Sequence, residues 1–430
     1  LVFVFINLAI SQSLFNRWVG SNQFIGSAKS TGMGKTHIFN SPGSFNVRFN
    51  PAKLGSIKSN YEFDIQIDNS SVFERWSMPV RDSFDEFLTN ADYVANEFTY
   101  YNIHSGFYTS LSNIIELNMG LGFHISPLTN FKYSYSEEVR GSYKIQDGEY
   151  ASKDPIVGYQ NLYIKGAPIL YSLGSGIRLD FLNNINISIG GAINLVNGIE
   201  AIDKIRIDTL FTDLINLSEI PNISHTKSLP MNQFVSLSTT MINFIPNLSF
   251  GLSWENKMGT TSTELSSIDT TNGLFVFWKL DESDSLVYAV NEIKYVKPEV
   301  RSLAINYLAS NYNGITISFE LNQVIYNNHL NLNDYNKFKF GFEYITLKNN
   351  SIRAGLIYSQ SKIRIVQPTS EFTFGLSRNI QDFSINFSST YLYNSFNYPD
   401  LFPVKDDIRI DYDLVRDSQM NLQFGISYKF

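Results

Sequence analysis

Apolar and polar residues alternate one by one along most of this chain, and the alternation is interrupted and restarted to give fourteen segments. Side chains of a strand point in turn to its two faces, so a period of two predicts β-strands with one apolar and one polar face. In the last segment Leu422, Phe424, Ile426, Tyr428 and Phe430 share a face, and Asn421, Gln423, Gly425, Ser427 and Lys429 share the other. Likewise Ile115, Leu117, Met119, Leu121, Phe123 and Ile125 oppose Glu116, Asn118, Gly120, Gly122 and His124. The segments read at residues 61–68, 100–109, 113–125, 171–181, 185–195, 233–242, 246–254, 299–309, 313–325, 337–347, 351–361, 370–378, 381–393 and 419–430.

Connectors between them are by turns long and short. The long ones cover 69–99, 126–170, 196–232, 255–298, 326–336, 362–369 and 394–418, and the short ones hold two or three residues each. Short turns on one rim and long loops on the other are the layout of a transmembrane β-barrel, whose strands need about 9–11 residues to cross the bilayer. The expected fold is therefore all-β: a membrane-spanning, 14-stranded antiparallel barrel over residues 59–430.

Composition agrees. Aromatic residues make up 15% of the chain while mean hydropathy is only −0.11, as expected when half of every strand faces lipid and half faces water or a plug. A net charge of −7 without a basic stripe argues against nucleic acid as a partner. The absence of cysteine excludes disulfides and thiolate metal sites, and no metal or other cofactor is expected. Residues 1–13 read as the tail of a secretory signal, with Ala9, Ile10 and Ser11 as a small-x-small cleavage site before Gln12.

Residues 14–58 carry Gly20, Gly26, Gly32, Gly34, Gly43 and Gly55, a composition suited to close packing inside a barrel, and we read them as a lumenal plug. The triplet Gly32, Met33, Gly34, followed by Phe49, Asn50, Pro51, Ala52, Lys53 and Leu54, resembles the opening of the FadL-type outer-membrane family, a superfamily that also includes PorV-like proteins. Its members begin with a Gly-Met-Gly turn and an Asn-Pro-Ala motif in an N-terminal hatch. Phe340, Gly341, Glu343, Tyr344 and then Ile352, Arg353, Ala354, Gly355 resemble a recurrent hairpin of that family, and Phe430 the terminal aromatic read by the barrel-assembly machinery. One departure is the stretch Asn40, Ser41, Pro42, Gly43, Ser44, where many members are acidic and Ala-rich.

The resemblance implies a monomeric outer-membrane channel of a Gram-negative bacterium, embedded in membrane lipid. Hydrophobic small molecules such as long-chain fatty acids would be captured outside and, after the hatch rearranges, would leave sideways at a kink in the third strand. Gating would involve Gly32, Met33, Gly34, Phe49, Asn50, Pro51 and Ala52, and the kink Gly120 and Gly122, although those two glycines would equally make room for the plug. The ordinary reading of Asn50 is that it caps a turn before Pro51. The alternative is a PorV-like barrel serving as a protein-interaction component of type IX secretion; a general porin comes third.

Among other motifs, Gly32 to Thr36 invites a phosphate-loop reading, but position 29 is Lys where that motif has Gly. His104 and His124 fall on neighbouring strands and make a lumenal acid–base pair conceivable, without a serine that can be singled out as nucleophile; no enzymatic activity is expected. The charges Glu116, Arg178, Glu320, Glu343 and Arg353 are assigned to the lumen as plug anchors, since a basic residue at the bilayer midplane facing lipid costs about 2–4 kcal/mol. Glu343 and Arg353 are expected to pair across their hairpin.

Overall fold

A computed structural model describes residues 13–16, 20–21, 25–112, 117–140, 156–181, 185–197, 199–210, 223–229, 231–259, 268–269, 274–275, 278–280, 286–288, 296–309, 314–327, 332–346, 349–363, 366–402 and 412–430. Of the signal-like residues 1–13, 1–12 lie outside them, as does Glu116.

Fourteen antiparallel strands close into one barrel: β1 (Tyr61–Arg81), β2 (Phe87–Ser110), β3 (Asn118–Pro127), β4 (Ile169–Asp180), β5 (Asn186–Val196), β6 (Asn232–Ile245), β7 (Leu248–Glu255), β8 (Glu299–Ala309), β9 (Ile315–Ile325), β10 (Tyr335–Ile345), β11 (Asn350–Ser359), β12 (Thr369–Ile380), β13 (Phe383–Tyr398) and β14 (Asp413–Lys429). Each pairs with its sequence neighbour, and β14 closes on β1 from Glu62↔Lys429 to Ser77↔Leu414. Closure removes the free strand edges that a bilayer would not tolerate. At the short-turn rim Asn243, Asn247, Asn349 and Gln381 take positive φ, the conformation that tight hairpins demand and Asn adopts more readily than most residues.

The faces are arranged as the alternation requires. On β1 the outward residues Phe63, Ile65 and Ile67 are exposed, while the inward Asp64, Gln66 and Asp68 are buried. The same holds around the wall, where Leu173 and Ile189 face out and Ser172 and Asn194 face in.

The first long connector is where the structure departs from the expected segments. Residues expected to form a loop over 69–99 instead extend β1 and β2, which reach 21 and 24 residues. The reason lies in the phase of the pattern. Along Tyr61–Ile67 the apolar residues point outward, but beyond the polar Asn69 and Ser71 the buried ones are Val72 and Trp76, on the opposite face. Outside the bilayer a sheet is wet outside and dry inside, so the code inverts and the strand continues through the inversion.

The next two long connectors are also ordered in part. Tyr133–Arg140, Ile156–Lys165, Ile199–Thr209 and Ile223–Leu229 form a four-stranded sheet on the long-loop side. Its buried Tyr133, Tyr135, Leu162, Ile164 and Ile205 join Trp76, Phe396, Tyr398 and Val415 from the wall in one apolar cap. Leu14 and Phe15, fully buried, belong to that cap, so the N-terminal segment threads past the lumen to its far end. Phe15 meets the rings of Phe396 and Tyr398 at 5.2 and 5.9 Å.

Candidate functional site: a plug, its glycine seat and a charged cavity

Inside the wall lie three short helices, α1 (Ala28–Gly32), α2 (His37–Asn40) and α3 (Asn46–Phe49), followed by a 3-10 turn over Pro51–Ser56. Helices this short leave most of their backbone groups unpaired, and in a sealed lumen those groups need side-chain partners. Ser27 caps α1 by accepting from Ser30 N at 3.1 Å. Asn50 Nδ2 donates to Ile38 O at 2.6 Å, and Lys53 Nζ to Phe39 O and Ser41 O at 2.5 and 2.9 Å. Asn50 therefore holds the exposed carbonyl end of α2, a hydrogen-bonding role inside the plug.

The wall contributes the rest. Gln66 on β1 accepts from Ala28 N at 2.7 Å and donates to Gly26 O at 3.0 Å, and Asp64 accepts from Ser44 N and Oγ at 2.7 and 2.6 Å. Tyr108 on β2 donates to Leu54 O at 3.1 Å, and Ser238 on β6 accepts from Ala52 N at 2.8 Å. On β12, Thr373 Oγ1 accepts from Gly34 N at 3.0 Å and donates to Gly32 O at 3.1 Å. Tethers thus come from opposite sides of the barrel.

Of the expected anchors, Glu320 performs that task directly: Oε2 accepts from Ile38 N at 3.0 Å while Oε1 pairs with Lys339 Nζ at 2.6 Å. Glu343 and Arg353 sit opposite one another in the β10–β11 register and bond at 2.7 Å. Arg353 also reaches Asn386 and Ser377, so it braces the wall beneath Gly32. Arg178 bonds to Asp180 at 2.6 Å near the short-turn rim and so stiffens β4.

The glycines of the first motif are seated on glycines of the wall. A Cβ on Gly355 would stand 2.1 Å from Gly34 N, and one on Gly375 would stand 2.9 Å from Gly32 Cα. Met33 O comes as close to Gly341, and Pro51 and Ala52 press on Gly176 and Gly190. Plug backbone can come this close only where the wall residue has no side chain. The sequence carries this signal as inward-facing glycines in strands far from the plug: Gly176, Gly190, Gly341, Gly355 and Gly375 add to the Gly120 and Gly122 expected to make room for it.

Gly120 and Gly122 belong to the same seat. Added Cβ atoms would meet Leu54 O at 2.3 Å and Val47 Cγ2 at 2.5 Å. The ladders from β3 to β2 and to β4 run through both residues without a register shift. Where β3 does leave β2 is higher: the pairing ends at Ile125↔Ser105, while β2 continues to Phe87. There Lys132 Nζ donates to Thr99 O at 2.7 Å across the parting edge.

His104 and His124 do come together, with ring centroids 6.0 Å apart and Phe45 against both. His104 Nε2 bonds to Asp68 Oδ2 at 2.7 Å and His124 Nδ1 to Ser44 Oγ at 3.0 Å. Ser44, itself part of the plug, is fully buried and its hydroxyl donates to Asp64, so the group locks the plug to the wall. Lys35, the lysine of the phosphate-loop-like stretch, pairs with Glu371 at 2.5 Å.

Between plug and apolar cap lies a cavity of about 220 Å³. Lys35, His37, Arg48 and Phe49 form its plug side, and Glu255, Glu320, Lys337, Lys339, Lys362 and Glu371 are among its other lining residues. His37 stacks on Phe49 with centroids 4.3 Å apart. Val324, Tyr326 and Tyr335 line the cavity and also belong to the apolar cap, which joins the two spaces.

No family model matches the chain, and no curated protein matches its sequence. Solved structures do. The toluene transporter TodX of P. putida superposes with a TM-score of 0.56 at 12% identity, over 94% of this chain and 99% of TodX. A Pseudomonas aeruginosa FadL homologue gives 0.55 at 9%, over 94% and 98%, and the Ralstonia pickettii toluene transporter TbuX 0.52 at 14%, over 95% and 99%. Over nearly its whole length, the chain has the fold of the FadL and TodX barrels.

Proposed function

We propose that the protein is a passive outer-membrane channel for hydrophobic compounds, such as long-chain fatty acids, in a Gram-negative bacterium. The observation that carries this reading is the continuity of an apolar extracellular cap with a lumenal cavity closed below by a tethered plug. A greasy molecule captured among the aromatics of the cap descends to the plug face. Movement of the plug about Asn50 and Pro51, whose contacts are hydrogen bonds and backbone packing with no covalent tie, then opens the way. The parting of β2 and β3 above Ser105 supplies a sideways exit, with the Lys132 contact as its latch. The likeness to hydrocarbon channels supports the same reading.

The test is uptake by cells lacking other such channels. Expression should accelerate entry of toluene or oleate, and the acceleration should disappear when the plug is cross-linked to the wall. Equal entry with and without the protein would end the reading. The PorV-like alternative draws on the four-stranded extracellular sheet and on the β1–β2 hairpin tip, where Phe84 is 85% exposed. A stoichiometric protein that co-purifies and is lost in Phe84→Ser would favour it.

A further inference from the structure

The charges around the cavity do not balance. Three carboxylates line it, and each has a lysine: Glu371 pairs with Lys35 at 2.5 Å, Glu320 with Lys339 at 2.6 Å, and Glu255 with Lys297 at 3.0 Å. Arg48 must share Glu255 with Lys297, and Lys337 and Lys362 stand on the lining as well, so cations outnumber carboxylates there in a protein whose net charge is −7. Lys337 lies 5.5 Å from the Tyr335 ring centroid, and neither it nor Lys362 has a carboxylate within ion-pair range among the described residues.

Arg48 is the informative member. It is 7% exposed, held between the rings of Phe49 and Phe234, and its Nε and Nη1 find no hydrogen-bond acceptor among the described residues. Glu255 Oε1 stands 3.6 Å from Nε, close enough for attraction and too far for a hydrogen bond. A buried guanidinium with idle donors is costly unless something else accepts from it. The cavity is where that acceptor would sit.

We propose that this cavity binds a phosphate group, carried by an amphipathic molecule whose apolar part lies against Val324, Tyr326 and Tyr335. A phosphate monoester brings close to two negative charges and three acceptor oxygens, which suits a lining that carries a planar guanidinium fork and two further lysines. A single carboxylate leaves part of that positive charge unanswered, and a neutral hydrocarbon leaves all of it. The proposal deepens the channel reading and rests on it for the ligand's route, but binding is measurable without transport.

The experiment uses the whole protein in nanodiscs of zwitterionic lipid at pH 6.5, where Lys362 keeps its proton, titrated with decyl phosphate, decanoate, decanol and inorganic phosphate. Decyl phosphate should bind at least tenfold more tightly than decanoate or decanol. Arg48→Gln and, separately, the wall variant Lys337→Gln should each weaken it tenfold or more, with Arg48→Lys recovering part of the loss. Arg301→Gln, an exposed residue that pairs with Glu299, should change nothing. Heat-modifiable migration on gels confirms that each variant keeps its barrel. Inorganic phosphate competing only weakly supports the amphiphile; inorganic phosphate binding as tightly as decyl phosphate overturns the assignment of a tail. Equal affinity for decanol and decyl phosphate, or a folded Lys337→Gln that binds normally, overturns the site. Loss of hydrocarbon uptake in cells with decyl phosphate binding intact would instead sink the channel reading alone.

Discussion

The amide of Ile38 donates to Oε2 of Glu320 at 3.0 Å, so one carboxylate on the wall holds the start of α2 while its other oxygen neutralises Lys339. Glu320→Ala removes both functions and leaves a buried ammonium without a counter-charge. Breaking one partner of a buried pair costs about 3–5 kcal/mol. The barrel, closed by its ladders, withstands that; the plug does not. Planar-bilayer recordings should show frequent openings for Glu320→Ala, and Glu320→Ala with Lys339→Met should be quieter. A variant as silent as the parent protein would remove Glu320 from the list of anchors.

The contact between Gly34 and Gly355 makes a second prediction. Valine at 355 would drive its Cβ into the backbone of Gly34, where there is no flexible side chain to yield. Gly355→Val should assemble as a barrel yet leave residues 25–58 open to protease added from the short-turn side. Gly259→Ala, where an added Cβ meets nothing within 4 Å, is the control. A protected plug in Gly355→Val would mean that the wall can bow outward at β11.

For the same reason, Gly120→Val and Gly122→Val are poor probes of a sideways exit. They collide with Leu54 and Val47 of the plug before they alter any gap. Lys132→Ala, at the parting of β2 and β3, tests the exit cleanly: it should raise hydrocarbon uptake without loosening the plug.

The wall was legible in the sequence because a bilayer imposes one rule on every strand, apolar out and polar in, and nothing local competes with it. Residues 61–68 and 419–430 show it plainly. Residues 69–99 hid their strands because the rule reverses at Asn69–Val72, and a single-phase reading sees a break there. Glu320 and the Glu343–Arg353 pair could be placed because charges have few tolerable positions in a membrane. The cavity could not: Lys35, Arg48, Lys337 and Lys362 are distant in sequence, and only the seating of the plug brings them together.

Phe15 offers a prediction about access. It is fully buried against Phe396 and Tyr398 in the apolar cap above the cavity. Phe→Ala in a packed core costs about 3–5 kcal/mol, and it removes both ring contacts that hold Phe15 to the wall. Phe15→Ala should therefore undock the segment and vacate space that an apolar tail can take. Stopped-flow fluorescence should show faster binding of a naphthyl-labelled alkane. An unchanged rate would mean that ligands reach the cavity by another path.

Lys362 gives the cavity a pH signature. It stands in the connector between β11 and β12, where burial, and next Lys337, pull its ammonium down to about 7. The group is charged below that pH and neutral above it. Folding therefore penalises the charged form, and the protein should gain stability as pH rises from about 7 toward the unfolded lysine value near 10.4. Anion binding runs the opposite way, because the attraction disappears with the charge. Decyl sulfate keeps a fixed charge from pH 6 to 8, so its affinity should fall across that interval by several-fold. The other lining groups able to respond are Lys35, Lys337, Lys339 and His37, with Glu255, Glu320 and Glu371 as their anions. Lys362→Gln separates them: its profile should be flat if Lys362 is the titrating group, and a slope that persists in the variant would assign the effect to one of the others.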